Sequence, residues 1–536
     1  MTRPTLLRSV ALLAIAAASF VASKPATAVQ VTAFQQAVAE NVSGDDQVAA
    51  FYRARGFEPI WTGGTEADLE RRTALLEALG MARHHGLPTA KYNSDALLSQ
   101  MASVRSGFER GALEVALTEL YLDFARDLQT GVIEKPRSVV SSIVREIPRR
   151  DASYYLDGLL SDSPRAFLAT LAPQSHEYAR LMKAKMRLEH TIAHGGWGAP
   201  VPSGKFEPGD TGAGVVALRN RLIAMGYLDR TVTARYDSAM IDAVRQFQED
   251  HGLTVDGVTG GETLTQINAT PQDRLKSVMV AMERERWLNL PDGLGERHIL
   301  VNLTDFNARI FDHGKLTFET RSVVGHQDSD RQTPEFSDEM DHMVINPSWY
   351  VPRSIIVKEY LPKLRSNPGA VSHLQITDSR GRVVSRNQSF ARYSGNSFPF
   401  AMRQPPGPRN ALGTVKFMFP NKYNIYLHDT PAKSLFSREV RTYSHGCVRL
   451  NDPHDFAYAL LARQTDDPVG FFQSRLRSGS ETRVNLDEPV PVHLIYRTAF
   501  THAKGHTQFR RDVYGRDAAL WNALSAAGVE IGGIRS

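Results

Sequence analysis

A single cysteine in 536 residues, Cys447, leaves this chain no intrachain disulfide. Whatever it folds into must be held by apolar burial. The length suffices for about three domains, each with its own core.

That one thiol lies in Ser444-His445-Gly446-Cys447-Val448-Arg449-Leu450. Free cysteines are often inert small hydrophobes. Here the flanks Gly446 and His445 make poor core packing, which points to a reactive thiol. The thiolate is the nucleophile, and nearby imidazole or cationic groups are expected to lower its pKa. A second histidine stands upstream in Ile425-Tyr426-Leu427-His428-Asp429-Thr430, with 18 residues between it and Cys447. His428, at the end of a predicted strand, is the candidate base. Glycine beside a nucleophile lets substrate approach the backbone, and the amides of Gly446 and Cys447 can face a carbonyl oxygen. If the segment is a strand, Arg449 lies on the same side as Cys447. It could then add positive potential or hold a substrate carboxylate through its fork of donors.

The N-terminus combines Arg3, an apolar run from Val10 to Val21, and Ala26-Thr27-Ala28. This reads as a secretory signal over residues 1–28. The run is shorter than the ~20 residues of a membrane span, so no stable insertion is expected after cleavage. Removal takes away Arg3, Arg8 and Lys24 and no acid, lowering the formal charge from +5 to +2. So balanced a charge gives no ground for a nucleic-acid partner.

Residues 29–193 read as helical. Leu113, Leu117, Leu120, Phe124 and Leu128 recur at helical spacing, with Gly131 as the stop. His84, His85 and His176 lack a second ligand set, so no metal is expected. A Gly- and Pro-rich linker covers 194–205. Residues 206–270 form a compact three-helix unit, with one helix ended by Gly226 and another by Gly252. From 275 to 500 the texture is strand-rich, with Asp312-His313-Gly314-Lys315 as a hairpin turn. Residues 356–403 break that rhythm and read as a capping insertion. Residues 501–536 form a C-terminal extension. The fold class expected is multidomain α+β: a helical domain, a small helical unit and a mostly β domain with a cap.

Two resemblances sharpen this reading. Ala243-Val244-Arg245-Gln246-Phe247-Gln248, His251-Gly252-Leu253 and Asp256-Gly257 resemble the type 1 peptidoglycan-binding domain family. His428 with Ser444-His445-Gly446-Cys447-Val448-Arg449 resembles the L,D-transpeptidase (YkuD) catalytic family. Thr333-Pro334-Glu335-Phe336, Asn346-Pro347-Ser348-Trp349-Tyr350-Val351-Pro352, Gly413-Thr414-Val415-Lys416-Phe417 and the His428 segment are similar to its large branch with scaffold and peptidoglycan-binding domains.

The resemblance implies a periplasmic, wall-associated enzyme acting on peptidoglycan stem peptides and glycan, without a cofactor or metal. Other cell-wall synthesis enzymes are candidate partners. Cys447 would form a thioester with a tetrapeptide stem, releasing D-alanine, and a second stem's diamino acid would resolve it as a 3→3 crosslink. Carbapenems would acylate the same thiol. His428 would move the protons, oriented by the backbone carbonyl of Asp429. Ser444 and His445 would shape the loop, and the Gly446 and Cys447 amides would hold the oxyanion. Other branches carry asparagine where Arg449 stands. Arg449, Tyr426, Trp349 and Asn410 are candidate substrate contacts, with core packing as the alternative for Tyr426 and Trp349.

Competing readings keep the same acyl-enzyme but change the acceptor: water in an L,D-carboxypeptidase, a D-amino acid in exchange, or a lipoprotein amine. A papain-like endopeptidase would place its histidine after the cysteine, opposite to the order here. A non-catalytic wall-binding protein would need neither residue.

Overall fold

A computed structural model describes residues 31–531. The signal expected at 1–28 lies outside the described residues, as do residues 532–536. Among the described residues no helix is long and apolar enough to cross a membrane.

The N-terminal part is helical, as its spacing predicts. Its longest helix, Gly107–Thr130, opens with a capping box between Ser106 and Glu109. Leu113, Leu117, Phe124 and Leu128 turn inward against Val48, Tyr52, Trp61 and Leu156. Glu114 is buried on this helix. Its carboxylate accepts the amides of Ile60, Trp61 and Thr62, so a loop that could not otherwise satisfy its N–H groups is locked to the core. The small unit packs the helices Ala213–Met225, Ser238–Asp250 and Gly261–Ile267 around Leu218, Leu222, Val244 and Phe247.

A helix at Pro271–Trp287 joins these parts to the strand-rich region. Glu283, Arg284, Glu285 and Arg286 are all buried in it. Each is paired, as burial of charge requires. Glu283 accepts from Arg286 and from the Ile133 amide. Glu285 meets Arg497, and Arg284 meets Asp517 and Glu335. One helix therefore ties the helical part, the strand-rich region and the C-terminal segment together.

The strand-rich region begins with β1 (Arg297–Asn302), β2 (Asn307–Asp312), β3 (Lys315–Gly325) and β4 (Phe336–Ile345). The cap carries β5 (Trp349–Tyr350), β6 (Gln375–Thr377) and β7 (Ala401–Gln404). Then follow β8 (Val415–Met418), β9 (Leu427–His428), β10 (Thr442–Ser444), β11 (Val448–Leu450) and β12 (Thr482–Ile495). The main sheet runs β10-β3-β11-β9-β8-β4-β12-β1-β2, and a further β2–β3 pairing joins its ends. The result is a closed ring with β10 as a branch on β3. Closure removes the open edges that would invite pairing with other chains. Val301, Ile310, Val324, Met343, Val415, Phe417, Leu427, Val448 and Leu494 are among the residues that fill its interior.

Two helices within this region, Pro453–Leu461 and Pro468–Arg477, were not anticipated from the strand texture. Phe456 and Phe472 carry them onto the ring's core. The cap is also wider than 356–403. β5 pairs with β7 through Trp349–Gln404 and Tyr350–Arg403, and the cap's own core includes Trp349, Ile356, Leu364, Phe390, Met402 and Leu412. It therefore spans 349–412. Its helical stretch contains a π turn at Ile356–Tyr360.

The segment after 500 packs back onto the molecule. Its β14 (Gln508–Phe509) forms a short hairpin with β13 (Ala499–Phe500), which precedes it, and a helix Arg516–Ala526 follows. Arg516 is buried, paired with Glu335 and bonded to the Thr333 carbonyl.

Candidate active site

Strands β8, β9 and β11 are neighbours in the ring. Their register pairs Lys416 with His428, and His428 with Arg449. Directly paired residues project to one face. The alternate residues Val415, Phe417, Leu427, Val448 and Leu450 point into the core, so Lys416, His428 and Arg449 form a row on the outer face.

His428 is buried, with Nδ1 2.5 Å from the Asp429 carbonyl oxygen. Nδ1–H donates there, which fixes the tautomer and leaves the Nε2 lone pair free to take a proton. Burial, then the Arg449 guanidinium, push the imidazole pKa down to about 3, and the bond to Asp429 opposes this. His428 therefore rests neutral.

The Asp429 side chain is occupied elsewhere. Its carboxylate accepts from Thr414 N and Oγ1 at 2.9 and 2.8 Å, and from Lys433 Nζ at 2.9 Å. The approach demands glycine at 413. There φ is +61°, and a Cβ would lie 2.2 Å from Asp429 Oδ2.

Cys447 is half-buried in the turn before β11, not within the strand. Arg449 thus aligns with His428 in the strand register. Gly446 has φ +112°. Its carbonyl accepts from Thr333 Oγ1 at 2.7 Å, and the same hydroxyl accepts from Gly325 N at 2.8 Å. In a trans peptide the C=O and the next N–H point in opposite directions. Thr333, by holding the Gly446 carbonyl, therefore aims the Cys447 N–H the other way. Neither the Gly446 nor the Cys447 amide donates to an acceptor among the described residues.

Burial pushes the Cys447 thiol up to about 11, against the lowering effects of Tyr426, Arg449 and Lys416. The expected lowering is thus reversed, because enclosure outweighs the nearby cations. The resting pair is a neutral thiol and a neutral imidazole. Sγ contacts the Asn424 carbonyl at 3.5 Å.

The other candidate residues divide by environment. Tyr426 bonds to Cys447 through its side chain and its ring lies 5.6 Å from His428. Ser444 is buried and its carbonyl accepts from His326 N. His445 is exposed, with Nε2 2.5 Å from Glu359 Oε1 on the cap's π turn. Lys358, next to it, pairs with Asp330. The cap thus touches the nucleophile loop and the loop before β4.

Two candidates are corrected. Trp349 sits in the cap core. Asn410 is buried; its Nδ2 donates to the carbonyls of Pro347, Gln404 and Pro405, and its Oδ1 accepts from Leu412 N. Its amide is thus used by backbone groups in the cap's turn and at the cap's base. Lys416, Thr333 and Glu359 had been given no role from sequence. For Lys416 the signal was present: Val415 and Phe417 flank it at strand alternation.

Comparison with known proteins places these features. Residues 296–469 match the L,D-transpeptidase catalytic domain, residues 46–184 a scaffold domain, and residues 211–267 a family described as "Putative peptidoglycan binding domain". A Haemophilus influenzae protein named "Putative L,D-transpeptidase" is 28% identical over 300 residues, 55% of this chain and 58% of that protein. The chain thus spans less than two thirds of that relative. Among solved structures, an L,D-transpeptidase of Xylanimonas cellulosilytica is 17% identical, covering 56% of this chain and all of that one, with a TM-score of 0.17. One from Stackebrandtia nassauensis is 14% identical, covering 55% and 96%, with a TM-score of 0.21.

Proposed function

This chain carries an L,D-transpeptidase catalytic domain beside a scaffold and a peptidoglycan-binding domain, and we propose that it is a peptidoglycan L,D-transpeptidase using Cys447 as nucleophile. The observation that supports this best is the His428 tautomer. Its Nδ1–H is spent on the Asp429 carbonyl, so Nε2 is available as a base on the face where Lys416 and Arg449 lie.

In this reading Sγ attacks the carbonyl joining the third and fourth residues of a tetrapeptide stem. His428 takes the thiol proton as the C–S bond forms. The thiol is held protonated at rest, so proton loss and attack proceed together. The oxyanion is met by the Gly446 and Cys447 amides, aimed by Thr333. His428 returns the proton to the leaving amine and D-alanine departs, leaving a thioester. The side-chain amine of a second stem's diamino acid then attacks, His428 accepts its proton, and collapse restores the thiol and forms a 3→3 amide. The cap, in contact with the loop through His445 and Glu359, would shield the thioester from water. Such a reaction belongs outside the cytoplasm, where peptidoglycan lies. A carbapenem would acylate the same thiol.

The test is incubation of the purified chain with tetrapeptide muropeptides, read by mass spectrometry. Crosslinked 3→3 dimers with free D-alanine are expected. Tripeptides alone would shift the reading to a carboxypeptidase, and neither product would overturn both.

A further inference from the structure

The row Lys416-His428-Arg449 sets two cations on adjacent strands, one on each side of the base. Such a row is costly unless something negative answers it. Among the described residues no carboxylate does so at contact distance. Arg449 Nε is buried with no hydrogen-bond partner, and neither Arg449 nor Lys416 forms an ion pair among the described residues. Lys416 lies over the Tyr426 ring at 6.0 Å. The one carboxylate whose field reaches Lys416 is Glu481, and Glu481 Oε2 accepts from Ser348 Oγ at 2.6 Å. Both cations act electrostatically on Cys447, the thiol that would attack the scissile carbonyl. Other arginines of this protein are answered by acids, as Arg284 is by Asp517 and Glu335, or by carbonyls, as Arg221 is by those of Ile267, Gly198 and Ala269. Arg449 Nε has neither kind of partner among the described residues, and it stands in the row that carries the base.

We propose that Lys416 and Arg449 form a carboxylate subsite, which selects acyl donors carrying a free carboxylate close to the scissile carbonyl. This rests on the acyl-transfer reading above and adds a substrate requirement to it. Arginine can take a carboxylate through two parallel N–H bonds, and lysine supplies a second point charge. A neutral amide at the same position would leave both cations unanswered in a half-buried site, so discrimination is strong. Two carboxylates of a tetrapeptide stem fit the chemistry: that of the departing terminal residue, and that of the diamino acid's side chain.

The experiment compares three donors with the full chain: the free-acid tetrapeptide, the same peptide amidated at its terminal carboxyl, and the same peptide amidated at the diamino acid's side-chain carboxyl. The wild type is expected to lose about tenfold or more in kcat/KM with one of the two amides, which identifies the carboxylate. The variants Lys416→Gln and Arg449→Gln are expected to bring that ratio towards one, while Lys416→Arg and Arg449→Lys retain part of it. Equal kcat/KM for all three donors in the wild type overturns the subsite and leaves the acyl-transfer reading standing. No turnover of any donor and no acyl-enzyme overturns both. The wild-type comparison stands even if a variant fails to fold.

Discussion

The imidazole of His428 is bound to the backbone carbonyl of Asp429, 2.5 Å from Nδ1, while the Asp429 carboxylate faces Thr414 and Lys433. Orientation of the base thus comes from the main chain, and the side chain of the same residue secures that main chain. Gly413 makes the arrangement possible. Gly413→Ala would force a Cβ to within 2.2 Å of Asp429 Oδ2 at a positive φ. We expect a loss of about 1–3 kcal/mol in stability and a fall in kcat as the carbonyl shifts, checked by thermal melts and steady-state rates.

The neutral resting pair has a pH signature. The Cys447 thiol, raised by burial to about 11, should alkylate with iodoacetamide at a rate that keeps rising between pH 9 and 11. A rate plateau near neutrality would contradict it and indicate a resting thiolate–imidazolium pair.

His428 has the matching acid-side effect. Its folded pKa, about 3 against an ordinary 6.5, means that the folded state binds fewer protons than the unfolded chain below pH 6.5. Its contribution to stability is full above that pH and is lost as pH falls from 6.5 towards 3. His428→Gln should remove that component, flattening the acid limb of a pH–melting-temperature profile.

Thr333 is expected to act through another residue. Thr333→Val leaves the Gly446 carbonyl and the Gly325 amide without their shared hydroxyl partner, at about 1–3 kcal/mol for each unsatisfied group. The Cys447 N–H loses its aim, so kcat should fall about tenfold or more with KM little changed. Thr333→Ser should restore most of kcat. A purely structural role would lower the melting temperature without splitting kcat from KM.

Arg516 links the C-terminal segment to the same loop through Glu335 and the Thr333 carbonyl. Arg516→Met leaves the buried Glu335 carboxylate with Arg284 as its remaining cation and takes the donor from the Thr333 carbonyl, at about 1–3 kcal/mol for each lost partner, read by denaturant unfolding.

Local sequence signals reached far into this molecule. The period of Leu113, Leu117, Phe124 and Leu128 marked the longest helix, and Gly131 its end. The spacing of His428 and Cys447 picked out the residues that β9 and the turn before β11 carry. What escaped was set by long-range contact. Thr333, in the loop after β3, meets Gly446 after β10, and β10 pairs with β3; no local pattern marks a threonine for that. Arg516 looked like part of an extension because its partners, Glu335 and Thr333, are far away in sequence. Burial raises the thiol's pKa against its neighbouring cations, and enclosure, unlike adjacent charge, is not visible in a sequence. Asn410, polar beside Gly413, looked available; the surrounding turn uses its amide instead.

In the proposed reaction Cys447 carries the acyl group. The most direct measurement is the intact mass of the protein incubated with a tetrapeptide donor and no acceptor amine, followed by peptide mapping. An adduct equal to the donor less D-alanine is expected on Cys447, and no thioester-linked adduct on the Cys447→Ser protein. An adduct on another residue, or crosslinking that survives Cys447→Ser, would contradict it.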